Sequence, residues 1–183
     1  MHRNIFCLES QWDNNLEKKL SVLPLLELAE KTCSINFIHL TCNTFAEFKY
    51  NLGLRPNRKS YGLLYLAFHG TKGTIQLHEK EHQLGFDELA KMFGSKFSGW
   101  ALHFGSCSTL KNSEELVRTF MHETGIKLVT GYCKNVEWVE SSALDLIIFS
   151  RIQRYKNLKS FLNFIYSTYP DLVEFNGFEG ISQ

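Results

Sequence analysis

A mainly parallel α/β fold with helices on both faces of its sheet is what this chain predicts, and three observations carry that expectation. Short β-rich apolar runs alternate with segments whose apolar residues recur at helical spacing, the order of a sheet built from right-handed crossovers. One run, "YGLLYLAF" (61–68), is almost wholly apolar, as a strand buried on both faces must be. The chain has 183 residues, 44% hydrophobic and 14% aromatic, enough to bury one substantial core, so a single domain over 1–183 is expected.

Taken in order, "NIFCLE" (4–9) and "SINFIHL" (34–40) read as the first two strands. Between them, "NNLEKKLSVLPLLELAEKT" (14–32) sets Leu16, Leu20, Leu23 and Leu26 near helical spacing. That predicts a helix kinked or broken at Pro24, which lacks a backbone donor. "TFAEFKYNLGL" (44–54) predicts a second helix, stopped by Gly53 and the loop "RPNRKS" (55–60), and "YGLLYLAF" the third strand, ending at His69. "GTIQLHEKEHQLGF" (73–86) alternates Ile75 and Leu77 with polar neighbours, the pattern of a surface hairpin, and "DELAKMF" (87–93) follows as a short helix opened by an acidic cap. "GWALHF" (99–104) is the fourth strand, ending just before Cys107. Asn112 or Ser113 caps a helix running to about Glu123, and "KLVTGY" (127–132) is the fifth strand. "VEWVESSALDLIIFSRI" (136–152) and "LKSFLNFIYSTY" (158–169) predict two more helices, and the polar, Gly-containing tail after Pro170 predicts a loose end.

Charge narrows the partners. Lys and Arg total 20 against 19 Asp and Glu, a formal charge of +1, so no general attraction to phosphate backbones or anionic membranes is expected. No stretch reaches the roughly 18 uninterrupted apolar residues of a membrane span, and "MHRNIFCLESQWDNN" does not read as a leader. Five cysteines (Cys7, Cys33, Cys42, Cys107 and Cys133) form an odd set without paired short spacings, which predicts reduced thiols in a cytoplasmic protein.

In an open parallel sheet the carboxyl ends of the strands share one edge, and functional groups collect there. His69 and Cys107 are both predicted at that edge. Cysteine catalysis needs a thiolate beside an imidazole that accepts its proton and later returns one to the leaving amine. Gly70, without a Cβ, lets its N–H approach a ligand and with the N–H of Cys107 can hold an oxyanion.

"YLAFHG" followed by "ALHFGSCST" resembles the paired signature of caspase-like cysteine peptidases, in which one apolar strand ends in His-Gly and the next in small residues and Cys. More narrowly it is similar to the bacterial CHAT group, often joined to or encoded with tetratricopeptide-repeat proteins. "GFDELAKMF" and "VTGYCKNVEWVESSALDLIIF" fit short members of that group too, so the resemblance covers roughly 60–150. It implies a caspase-like, flavodoxin-like three-layer sandwich. It also implies His69 as general base and acid, Cys107 as nucleophile, and the N–H groups of Gly70 and Cys107 as oxyanion donors. Glu137 and Trp138 are then substrate-pocket candidates, a carboxylate there favouring a basic residue on the acyl side of the scissile bond, the P1 position. No cofactor is implied. The implied partners are a protein or peptide substrate and a separate activator or repeat-protein regulator, in bacterial antiviral defence or regulated proteolysis. Phe104-Gly105-Ser106 departs from the commoner Leu-Ser-Ala type run before the Cys and leaves the pocket's inner wall open.

Plainer readings stand beside these. Glu137 is equally a helix N-terminal acid and Trp138 a core residue, while Asp145 is either a satisfied buried carboxylate or solvated. His103 reads as a hydrogen-bonded sheet imidazole, and Cys7, Cys33, Cys42 and Cys133 as inert thiols. "HEKEH" (78–82) matches a zinc-peptidase pattern that requires a helix, but sits in a predicted hairpin, so no metal is expected. A non-catalytic caspase-like scaffold is the alternative to the enzyme.

Overall fold

The computed structural model describes residues 3–15, 17–56, 59–78 and 83–183. The elements are, in order, β1 (Asn4–Glu9), α1 (Leu23–Cys33), β2 (Phe37–Thr41), α2 (Phe45–Gly53), β3 (Tyr61–Ala67), β4 (His69–Thr71), β5 (Thr74–Gln76), β6 (Gln83–Gly85), α3 (Phe86–Phe93), β7 (Ala101–Phe104), α4 (Glu114–Thr124), β8 (Leu128–Tyr132), α5 (Trp138–Ile152), α6 (Leu158–Thr168), α7 (Pro170–Asn176) and β9 (Phe178–Ser182). The central sheet has six strands in the order β2-β1-β3-β7-β8-β9, parallel throughout except for β9, which runs antiparallel to β8. This is a mixed α/β fold with helices flanking a mostly parallel sheet. Among the described residues no helix is long and apolar enough to cross a membrane.

Strand parity builds two cores. Phe6 and Leu8, Leu64 and Leu66, Leu102 and Phe104, and Val129 point to one face, where Phe48 of α2, Phe93 of α3 and Phe120 of α4 cover them. Ile5 and Cys7, Leu63 and Tyr65, Ala101, and Leu128 and Tyr132 point to the other, against Leu26 of α1, Ile148 of α5 and Phe161 of α6. A strand covered on both faces has no polar side to show, which is why β1 and β3 read as near-continuous apolar runs.

Four expectations need correction. The helix expected over 14–32 starts only at Leu23, with Pro24 in its first turn, where a missing N–H costs nothing and its fixed φ suits the helix. Leu20 is 47% exposed, and Leu16 lies outside the described residues. The third strand stops at Ala67, so His69 opens β4 instead, the first strand of a small antiparallel sheet β4-β5-β6. Its β4–β5 turn has Gly73 at φ 72, a left-handed conformation glycine adopts without strain. The cap of α3 is Gly85, with Asp87 and Glu88 inside the first turn, where acids complement the helix dipole. The tail after Pro170 is ordered: Pro170 starts α7, Gly177 ends it at φ 58, and β9 completes the sheet, burying Phe178. The tip of the β5–β6 hairpin, including most of "HEKEH", lies outside the described residues.

Candidate active site

Parallel pairing brings the carboxyl ends of β1, β3, β7 and β8 to one rim, and each exit delivers a chemically capable residue: Trp12, His69, Cys107 and Trp138. Pairing continues past the strands. Ser10 N–H donates to the Ala67 carbonyl at 3.1 Å, Gly105 N–H to Leu66 at 2.9 Å and Ser108 N–H to Lys134 at 3.0 Å. The four loops are therefore tied to one another.

His69 is exposed, and its Nε2 lies 2.7 Å from the Trp12 carbonyl oxygen. A carbonyl can only accept, so Nε2 carries the proton and the neutral ring keeps its lone pair on Nδ1. The Trp12 indole also packs edge-on against the His69 ring (5.2 Å between centroids) and the Trp138 ring (5.0 Å). One residue thus fixes the imidazole by its carbonyl and joins it to the exit of β8 by its ring. Trp12, Asp13, His69, Gln76 and His78 are among the residues lining an open cleft of about 460 Å³.

Cys107 is partly buried on the adjacent loop. Among the described residues no hydrogen bond joins its thiol to the His69 ring; the two loops meet where Gly70 faces the Cys107 carbonyl and the Ser106 and Thr109 side chains. A Cβ on Gly70 would lie 2.7 Å from the Cys107 carbonyl oxygen and 2.9 Å from Ser106 Cβ, so only glycine lets β4 come this close. Ser108, directly after the cysteine, has φ 56, a left-handed turn that a non-glycine residue holds only against strain. Gly105 answers the open question about the inner wall: a Cβ there would meet the Tyr65 ring at 2.6 Å. Glycine two residues before the cysteine makes room for a tyrosine.

On the other side of Cys107 lies a small cavity of about 60 Å³, walled by Trp12, Tyr65, Gly105, Trp138 and Asp145 with Ser141 and Ser142. Asp145 is a buried carboxylate, 3% exposed. Its Oδ1 accepts from His103 Nε2 (2.7 Å) and the Tyr132 hydroxyl, its Oδ2 from the Tyr65 hydroxyl (2.6 Å). Burial, reinforced by the Asp145 charge and hydrogen bond, pushes both tyrosine hydroxyls well above their ordinary pKa and keeps them donors. Among the described residues Oδ2 takes one bond against two at Oδ1 and so retains acceptor capacity.

The match that decides membership covers residues 2–179, nearly the whole chain, and belongs to DUF6642, a family of unknown function. The chain belongs to the DUF6642 family. No curated protein matches it.

In this DUF6642 chain the sequence-predicted candidates fall into two groups. His69, Gly70, Cys107 and Trp138 share the rim. Glu137 is exposed at the N-cap of α5, makes no capping hydrogen bond, and does not line the cavity beside Cys107. His103 is fully buried between Asp145 and Thr130. His78 donates from Nδ1 to the Gln11 carbonyl at 3.2 Å, while His82 lies outside the described residues. Of the other thiols, burial pushes Cys42 up to about 12 and Cys7 well above its ordinary value, and burial with the Glu179 carboxylate raises Cys133. Iodoacetamide at neutral pH is therefore expected to spare Cys7 and Cys42 while modifying Cys107, a pattern readable by peptide mass mapping. Sequence reading missed Trp12, although extending the strand-end rule to β1 points to the residues just after Glu9.

Proposed function

We propose that this chain is a caspase-like cysteine endopeptidase working through a Cys107–His69 dyad. The observation that carries the reading is the His69 Nε2 to Trp12 carbonyl hydrogen bond, which leaves Nδ1 as the basic atom on the loop packed against that of Cys107. His69 takes the thiol proton, and the Cys107 sulfur adds to the peptide carbonyl, forming a tetrahedral oxyanion that the N–H groups of Gly70 and Cys107 are suited to hold. Collapse breaks the C–N bond, the imidazolium hands its proton to the departing amine, and a thioester remains. Water, deprotonated by His69, then hydrolyses that thioester and regenerates the thiol.

The cavity beside Cys107 is our candidate receptor for the P1 side chain, and at about 60 Å³ it has to widen to admit Lys or Arg. Its carboxylate is Asp145 rather than Glu137, and its indole walls favour a cation as well, so the preferred P1 residue is basic. The substrate is a protein or peptide, and the resemblance to the CHAT group adds a separate regulatory chain and a setting of bacterial defence or controlled proteolysis.

A peptide ketone electrophile with Lys or Arg at P1 tests this. Covalent capture at Cys107 is expected, at least about tenfold faster than with Asp at P1, and lost in His69→Ala. A thiol that reacts equally with both probes, with or without the imidazole, would assign the chain to the non-catalytic scaffold class instead.

A further inference from the structure

Glu9 is the last residue of β1 and is 4% exposed, yet its carboxylate is fully occupied. Oε1 accepts from Trp12 Nε1 at 2.6 Å and the Val22 N–H at 2.8 Å, while Oε2 lies 2.7 Å from Ser21 Oγ and 2.6 Å from His39 Nε2. Burial alone would raise its pKa, but these bonds, led by His39 and Trp12, outweigh burial and leave it below the ordinary carboxylate value. The donors come from β2, from the loop after β1 and from the start of α1. One anion therefore gathers both ends of the irregular segment between β1 and α1.

That segment carries Trp12, and Trp12 meets the site twice, through its carbonyl to His69 and through its ring to His69 and Trp138. The indole N–H and the carbonyl belong to one residue, so anchoring the first limits where the second can go. We infer that Glu9 is a positioning residue for His69, acting through the Trp12 side chain to hold the Trp12 carbonyl where it fixes the imidazole's tautomer and orientation. The assignment rests on the dyad reading above and extends it outward by two contacts. It concerns shape rather than charge at the reacting atoms. Trp12 and Val22 need only an acceptor at Oε1, whereas Ser21 and His39 can each turn to accept, so glutamine satisfies all four partners. Alanine satisfies none.

The rate of Cys107 alkylation by iodoacetamide, followed by mass mapping from about pH 5 to 9 on the full chain, tests this without a known substrate. His69→Ala is expected to slow alkylation at neutral pH and reduce the profile to that of an unassisted thiol. Glu9→Ala is expected to be slowed roughly tenfold or more, with the same change of profile, and Glu9→Gln to recover to within about threefold of wild type. Should Glu9→Ala fail to fold, Trp12→Phe serves instead: it removes the indole N–H bond to Glu9, keeps a smaller aromatic ring toward His69 and Trp138, leaves Glu9 three donors, and is expected to be slowed in the same way. Glu9→Ala or Trp12→Phe reacting like wild type while His69→Ala is slow would overturn the inference and spare the dyad. Glu9→Gln as slow as Glu9→Ala would overturn it too, since charge and not position would then be what counts. A profile unmoved by His69→Ala would remove the dyad and this inference together.

Discussion

Alanine at Cys107 is expected to leave a folded chain with no measurable peptide hydrolysis, and alanine at His69 to lower kcat by roughly a thousandfold or more. Neither change should disturb the fold. Cys107 is partly exposed beside open space, and His69 is exposed with one hydrogen bond, to a carbonyl that water can satisfy. In the proposed dyad the imidazole has no role without the thiol, so the double variant is expected to be no worse than Cys107→Ala alone. Initial rates on basic-P1 fluorogenic peptides, read beside thermal unfolding of the same preparations, check this. A His69→Ala chain turning over at the wild-type rate would rule the dyad out.

The second large effect is on stability. Asp145→Ala is expected to lower the unfolding free energy by about 3–5 kcal/mol, a large share of the 5–15 kcal/mol typical of a domain. Three partners on three strands lose their acceptor: Tyr65 on β3, His103 on β7 and Tyr132 on β8, all fully or almost fully buried. The Tyr132 hydroxyl can still donate to the Ser141 carbonyl at 3.2 Å, but the Tyr65 hydroxyl and His103 Nε2 lose the acceptor that recovers their desolvation. Asp145→Asn is expected to lose less, since its amide oxygen still accepts while its NH₂ can donate to a hydroxyl. Urea denaturation midpoints at constant slope measure both. An Asp145→Ala chain within about 1 kcal/mol of wild type would mean that the three donors repack around the gap.

The inner strands of the central sheet were legible because β1, β3, β7 and β8 are buried on both faces and so read as apolar runs, most plainly in β3. The loop from Ser10 to Val22 was not. Four leucines near helical spacing drew its second half into a helix, and that error hid Trp12, since a residue just ahead of an assumed helix does not look like part of a rim. The tail was misread for a related reason: α7 is short and mostly exposed and β9 is short and largely half-buried, so their pattern is weak, and they are held by neighbours such as Tyr166, whose hydroxyl accepts the Gly180 N–H. His69 and Cys107 could be found because their exits follow from strand order alone. Asp145 could not be settled, because its partners are scattered over positions 65, 103 and 132 and only folding assembles them.

The contact between Tyr65 and Gly105 ties the Cys107 loop to the buried carboxylate through a single ring. Across a lineage, positions 65 and 105 must therefore trade volume. A chain that acquires serine or alanine at 105 has to shrink the residue at 65, forfeiting a phenolic donor to Asp145 and opening the wall of the neighbouring cavity. Selection on the shape of the cavity beside Cys107 thus reaches the turn that carries the sulfur, and the two should drift as a linked pair.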